Sequence, residues 1–403
     1  MKTSNSAGSS PKARRVASID VFRGLVMFLM LAEVLHLSSL ADKFPNSPSI
    51  ELLRWLKFHT THVAWQGCSL HDLIQPGFTF LVGVALPFSL ASRRAKGHSL
   101  LRMGLHALWR SVLLILLGVF LRSLGKSQTN WTFEDTLTQI GLGYFLLFLI
   151  GLLPKRGHYL ALMLVLVGSW GLFAASPAPP ATFDYQAVGV PADWPHHESG
   201  LASRWNKNSN VAWKFDVWFL NQFPRETPFA FNRGGYSTLN FLPTLATMIF
   251  GLLAGTWMKD IELTGPRIVR FLLAIGICLL AGWGISELGF CPLVKRIWTP
   301  TFALWSAGWC FLFLLLLHLV CDVVGLRGWA FPLIVIGSNS ILIYVMSWTL
   351  ETPIQAALQR HLGQSFFEQW GSAYAPFLLG MGTLLTMWLI LLYLYRHKIF
   401  LRI

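Results

Sequence analysis

Apolar and polar residues come in blocks along this chain rather than alternating. Ten apolar runs, at 20–41, 73–91, 105–124, 137–153, 159–175, 236–258, 268–288, 301–320, 331–350 and 376–395, are each near the length needed to cross a bilayer. They predict about ten membrane helices. The first run ends Ser39-Leu-Ala41, which superficially resembles a signal-peptidase site, but it is longer than a signal-peptide core and is interrupted by Glu33. It reads as a retained first helix. Residues 1–15, rich in Ser, Lys and Arg, have almost nothing to bury and are expected to form a disordered cytoplasmic tail. The remainder, 16–403, is expected to be one transmembrane domain with three extracytoplasmic segments, 42–72, 176–235 and 351–375.

Composition agrees with that pattern. Hydrophobic residues make up 54% of the chain and charged residues only 12%, far below the roughly 25% typical of soluble domains. The fold class expected is therefore an all-α integral membrane protein, a polytopic helical bundle embedded in the lipid bilayer. A net charge of +14 invites a nucleic-acid partner, but the basic residues are scattered between apolar runs, which excludes that reading. They report topology instead: Arg93, Arg94 and Lys96, Lys155 and Arg156, Lys259, Arg267 and Arg270, and Arg396 and Lys398 fall on one side with the basic tail. Both termini are then cytoplasmic. Lys295 and Arg296 fall on the opposite side and break the bias, making the helices around them the least secure of the assignment. Five cysteines show no Cys-x-x-Cys spacing, so no metal is expected. Whether Cys68 and Cys291 pair is left open.

One junction concentrates chemistry. From 62 to 72 a polar cluster containing His62, Trp65, His71 and Asp72 runs directly into the apolar stretch 73–91. Groups of this kind are costly at a membrane boundary without partners or a task. The long segment 176–235 carries Trp205, Trp213 and Trp218 among Asn206, Asn208 and Asn210 and is too aromatic for disorder. Each tryptophan reads equally as a sugar platform or a membrane anchor. Gly24 and Gly83, inside apolar runs, point to close helix packing.

The opening Arg15-Val-Ala-Ser18-Ile-Asp20-Val-Phe22-Arg23-Gly24 resembles the start of the membrane domain of the heparan-α-glucosaminide N-acetyltransferase family. The likeness continues through His62-Val-Ala-Trp65-Gln-Gly, Asp72-Leu-Ile-Gln-Pro76-Gly, Trp109-Arg110-Ser111, Leu137-Thr-Gln139-Ile-Gly, Asn339-Ser340-Ile-Leu-Ile-Tyr344 and Tyr395-Arg-His-Lys-Ile-Phe400. The blocks occur in order from near the start to the last residues. The resemblance implies transfer of an acetyl group from cytoplasmic acetyl-CoA, as co-substrate, to an amino sugar or other glycan on the far side of the membrane. It also implies residence in a membrane such as the bacterial inner (cytoplasmic) membrane, and a homodimer is compatible with it.

Site expectations follow from the resemblance and from the side chains together. An amine attacks a thioester only when neutral, and His62, at the position resembling the family's catalytic histidine, suits the role of base. Asp72 either orients that imidazole or simply caps the helix it precedes. Glu33 stands near where many relatives carry an asparagine and is the third catalytic candidate, an exchange that bears on the acceptor's identity. Arg23 and Arg110, near the inner helix ends, suit the phosphates of CoA, although Arg110 equally suits snorkelling. Asn339 and Ser340 are placed near the pantetheine arm or at a helix contact. His59 and His71 are expected to be bystanders. A sugar or amino-sugar transporter is the competing reading, since about ten helices with polar residues at depth also suit a permease.

Overall fold

The computed structural model describes residues 16–46, 48–260 and 264–401, so the tail expected over 1–15 lies outside the described residues. Among the described residues the regular secondary structure is all helical, apart from one isolated antiparallel bridge between Gln66 and Val294. It forms the membrane bundle that its apolar runs foretell.

The first span is α1 (Ala17–Leu31), continued by a 3-10 turn (Ala32–Leu35) and, after His36 in the left-handed conformation at φ 50°, by α2 (Leu37–Lys43). The expected single helix is thus broken at its end, and the break carries Glu33. Next comes α3 (Ile50–His59), an amphipathic helix that leaves Leu52, Trp55 and Phe58 exposed. Then follow α4 (Ile74–Ala95), α5 (Leu100–Ser123), α6 (Thr136–Gly151) and α7 (Lys155–Ala174). The long intervening segment contains α8 (Val211–Phe219), and the bundle resumes with α9 (Phe241–Asp260), α10 (Thr264–Glu287) and α11 (Pro300–Leu317). The short helices α12 (Phe331–Gly337) and α13 (Ser340–Thr349) precede α14 (Glu351–Leu362), α15 (Gln364–Phe367) and α16 (Ala375–Arg396).

Among the described residues, eight helices are long and apolar enough to span a bilayer, and a ninth span arises if α12 and α13, bent by 68° at their break, count as one. The other two expected runs are apolar helix as well but depart in form. The run 137–153 folds as the shorter helix α6, and 331–350 is split where Ser338 and Asn339 interrupt it.

Two close approaches fix the bundle's interior. A Cβ on Gly83 of α4 would lie 1.9 Å from the Met248 carbonyl oxygen of α9, and one on Gly251 of α9 would lie 1.9 Å from that of Phe80. Gly24 of α1 meets the Leu333 carbonyl of α12 in the same way, at 1.9 Å. Only glycine permits these backbone contacts, which hold α4 against α9 and α1 against α12.

Beyond the bundle, the segment after α7 folds on itself. Trp65, Phe173, Trp205, Cys291, Val294 and Ile297 form a separate buried cluster joining it to the 62–70 loop and to the turn between α10 and α11. Asn206, Asn208 and Asn210 are buried and spend their amides on backbone groups, Asn210 capping α8 through the Trp213 N–H. Trp205 is fully buried against Phe173, so neither reading of it as platform or anchor holds; it is core.

Candidate active site

The polar cluster of 62–72 folds into a tight loop whose centre is Asp72. This carboxylate, completely buried, lies in a 3-10 turn (His71–Leu73) just ahead of α4. It does not cap that helix. Its Oδ2 accepts the backbone N–H groups of Ser69 (3.0 Å) and Val63 (3.3 Å), and its Oδ1 lies 2.8 Å from His62 Nδ1. Of the two readings offered by the sequence, the orienting one matches this geometry.

Lys295 completes the group. Its Nζ lies 2.9 Å from His62 Nδ1, 3.4 Å from His62 Nε2 and 3.4 Å from Asp72 Oδ1, and its side chain is only 5% exposed. The basic pair that broke the positive-inside bias is therefore not a topology marker. Arg296 donates to the carbonyl oxygens of Val63 and Gly234, pinning the α10–α11 turn to the His62 loop.

His71 is also inside the cluster. It is buried, its ring centroid lies 4.4 Å from that of His62, and its Nε2 lies 3.1 Å from Glu33 Oε1. His71, expected as a bystander, thus lies against His62 and Glu33. His59 instead accepts the Leu70 N–H through Nδ1, a loop-building contact.

Electrostatics favour a neutral imidazole. Although 37% of its side chain stays exposed, desolvation of the ring draws the pKa of His62 below its ordinary value, the hydrogen bond to Asp72 opposes the fall, and the Lys295 charge adds to it. Burial also pushes up the Cys68 thiol, and that of Cys291 to about 11, so neither supplies a thiolate. Both are free cysteines, which answers the pairing question. Among the described residues, no group of His, Cys, Asp and Glu side chains has an arrangement suited to a metal ion.

Two cavities lie in series through the bundle. One, of about 330 Å³, is lined by His62, His71, Lys295, Glu33, Tyr344 and Glu351. The other, of about 570 Å³, is lined by Arg23, Arg93, Arg110, His106, Tyr144 and Ser340. Along α1, Arg23 faces the second cavity and Met27, one turn on, the first; along α13, Ser340 and Tyr344 divide the same way. On α4, Phe78 lines both. Arg110 is positioned by Tyr144, with Nη1 3.2 Å from the phenol oxygen and its guanidinium 4.7 Å from the ring centroid. Arg23 has Asp20 at 3.3 Å.

Asn339 is not on this cavity's wall, and of the two readings offered by the sequence its hydrogen bonds match a packing contact. Its amide is committed to the C-terminal segment, donating to the Ile399 carbonyl (2.9 Å) and accepting the Leu401 N–H (2.9 Å). That segment in turn lends Phe400 and Leu401 to the cavity wall.

No family model matches the chain. It is 26% identical over 436 residues to heparan-alpha-glucosaminide N-acetyltransferase of Homo sapiens, an alignment covering 96% of this chain and 60% of the human protein. The Mus musculus protein of the same name is 26% identical over 384 residues, 84% of this chain and 54% of its own length. The chain is a family-level relative of these N-acetyltransferases. It spans little more than half the length of the relatives it matches.

Relative to those N-acetyltransferases, the sequence signals were uneven. His62 and Asp72 lie ten positions apart on one loop and were legible as a motif. Lys295 lies 233 positions from His62, and its one visible signal was a lysine on the wrong side of the charge bias. His71 was visible but indistinguishable from a loop histidine until its ring was seen against His62.

Proposed function

We propose that this chain is a membrane acetyltransferase that binds acetyl-CoA at the Arg-lined cavity and acetylates an amino sugar or other glycan at the His62 cavity. The observation that carries the reading is the serial arrangement of a cationic cavity and a His-Asp cavity along the same three helices, with Phe78 on the wall of both. In this reading the Arg93 end of the bundle is cytoplasmic and the His62 end faces outward, as the charge bias implies. A bacterial inner membrane fits that orientation. The names of the two relatives supply the reaction class.

The chemistry asked of each residue is limited. Arg23, Arg93 and Arg110 provide charge-assisted donors for the donor's phosphates. The pantetheine arm passes Phe78 and brings the thioester to the His62 cavity. With Nδ1–H given to Asp72, Nε2 carries the lone pair that takes a proton, with Lys295 Nζ 3.4 Å away. The acceptor's neutral amine attacks the acetyl carbonyl, His62 takes the proton the amine loses, and the C–S bond breaks. The CoA thiolate then recovers that proton from the imidazolium. Glu33 and Glu351, on the wall of the outer cavity, offer carboxylates to a cationic or hydroxyl-rich acceptor.

The test is acetyl transfer by purified protein to an amino-sugar panel, measured beside acetyl-CoA binding. His62→Ala is expected to lose about 10²–10⁴-fold in turnover while still binding acetyl-CoA. Near-normal turnover in that variant would refute the role given to His62, whereas no transfer by the wild-type protein would favour the transporter reading.

A further inference from the structure

The role of Lys295 is assigned by neither the sequence nor the relatives, yet its placement is among the most constrained in the site. The turn bearing it is held from several directions. Val294 bridges Gln66, the Gly67 N–H donates to the Leu293 carbonyl, and Asn240 Nδ2 donates to the Arg296 carbonyl. Trp298, in the left-handed conformation at φ 46°, anchors its indole N–H on Thr247 Oγ1 of α9 (3.1 Å). A non-glycine residue held there marks a turn whose shape is imposed by its surroundings. The result is an ammonium delivered to a buried point beside both nitrogens of one imidazole.

Asp72 Oδ2 already accepts from the Ser69 N–H, the Ser69 hydroxyl and the Val63 N–H, which leaves Oδ1 as the side open to a cation. Lys295 approaches there, 3.4 Å from Oδ1, and that places its ammonium within 2.9 Å of His62 Nδ1. An imidazolium at that distance from an ammonium is penalised in either orientation of the ring. We propose that Lys295 is a positioning residue for proton transfer: its ammonium, fixed between His62 and Asp72, keeps the resting imidazole neutral so that Nε2 can accept the acceptor's proton. The same repulsion drives the imidazolium, once formed, to surrender its proton to the departing thiolate. The catalytic part of this assignment rests on the acetyltransferase reading; the charge coupling itself does not.

The groups facing His62 are few. Asp72 and His71 come from the turn ahead of α4, Glu33 from the break after α1, and Lys295 and Arg296 from the α10–α11 turn. Tyr344 of α13 and Glu351 of α14 share the cavity. Of these, Lys295 is the cation closest to the ring, and its removal should be felt most.

The experiment is an NMR titration of the His62 ring in the full-length protein in nanodiscs, for wild type, Lys295→Met and Lys295→Arg. Loss of a like charge at this range is expected to raise the His62 pKa by about 1–3 units in Lys295→Met, with Lys295→Arg close to wild type. Because Lys295→Met leaves a buried carboxylate without its cation, Asp72→Asn is also compared with Asp72→Asn/Lys295→Met, where no such orphan remains, and an upward shift is expected again. Acetyl transfer is followed in parallel, and its acid limb should move with the NMR value. An unmoved His62 pKa in both comparisons would overturn the proposal and leave Lys295 a structural counter-ion. A shifted pKa in a protein that transfers no acetyl group would keep the coupling and retire the acetyltransferase reading.

Discussion

Asp72→Asn removes the acceptor that fixes the His62 tautomer and leaves Lys295 buried beside a neutral amide. Breaking one side of a buried ion pair typically costs about 3–5 kcal/mol, so both stability and turnover should fall while acetyl-CoA binding persists. A helix cap would predict about 1 kcal/mol and near-normal kinetics, which thermal unfolding and a kcat measurement together distinguish. His71→Ala should slow turnover, because it strips Glu33 of its partner and His62 of its ring contact; His59→Ala should not. Asp216, on α8 outside the membrane spans, gives a pH prediction. Burial raises its pKa to about 7 from an ordinary value near 3.8, and its one backbone donor, the Thr238 N–H, only partly offsets this. The folded state therefore binds the proton more tightly than the unfolded one. That contribution to stability is full below about pH 4 and is lost as pH rises through 7. Asp216→Asn should raise the melting temperature at pH 8 and flatten its pH dependence between those values. A melting temperature unchanged at pH 8 would count against this account.

At the scale of elements, the site depends on three helices keeping their register. The Gly83 contact between α4 and α9 admits no side chain without backbone movement. Overpacking typically costs about 1–3 kcal/mol and occasionally more, and Gly83→Val should exceed the usual range, read as lost thermal stability and weakened acetyl-CoA binding together. Phe78 belongs to the same helix and lies on both cavity walls. Phe78→Trp should obstruct the passage between them, lowering turnover about tenfold or more while leaving the donor's nucleotide end bound. Equal donor affinity and equal turnover in that variant would mean the thioester does not pass this residue. The sequence made these helices legible through their apolar length, and the glycines through their placement in apolar runs. It did not reveal the breaks at Ala32–Leu35 and at Ser338–Asn339. Both runs are apolar enough overall to read as one span, although Glu33 stands at the first break and Gly337, Ser338 and Asn339 at the second.

For the whole molecule, the segment 176–235 was legible as folded but not as to what it does. Its buried Trp205 shares one cluster with Trp65 of the His62 loop and with Val294 and Ile297 of the turn that bears Lys295. Long-range convergence of this kind leaves no local pattern. Orientation is the property on which the proposed reaction turns, since donor and acceptor cavities at opposite ends of the bundle have a purpose only if their substrates lie on opposite sides. The most direct test is transfer across a sealed membrane: protein reconstituted in one known orientation, acetyl-CoA supplied at the Arg93 face alone, and a membrane-impermeant amino sugar at the His62 face alone. Acetylated sugar should accumulate at the His62 face, and none should form when both substrates are confined there. Efficient transfer with both substrates confined to the His62 face would contradict the account.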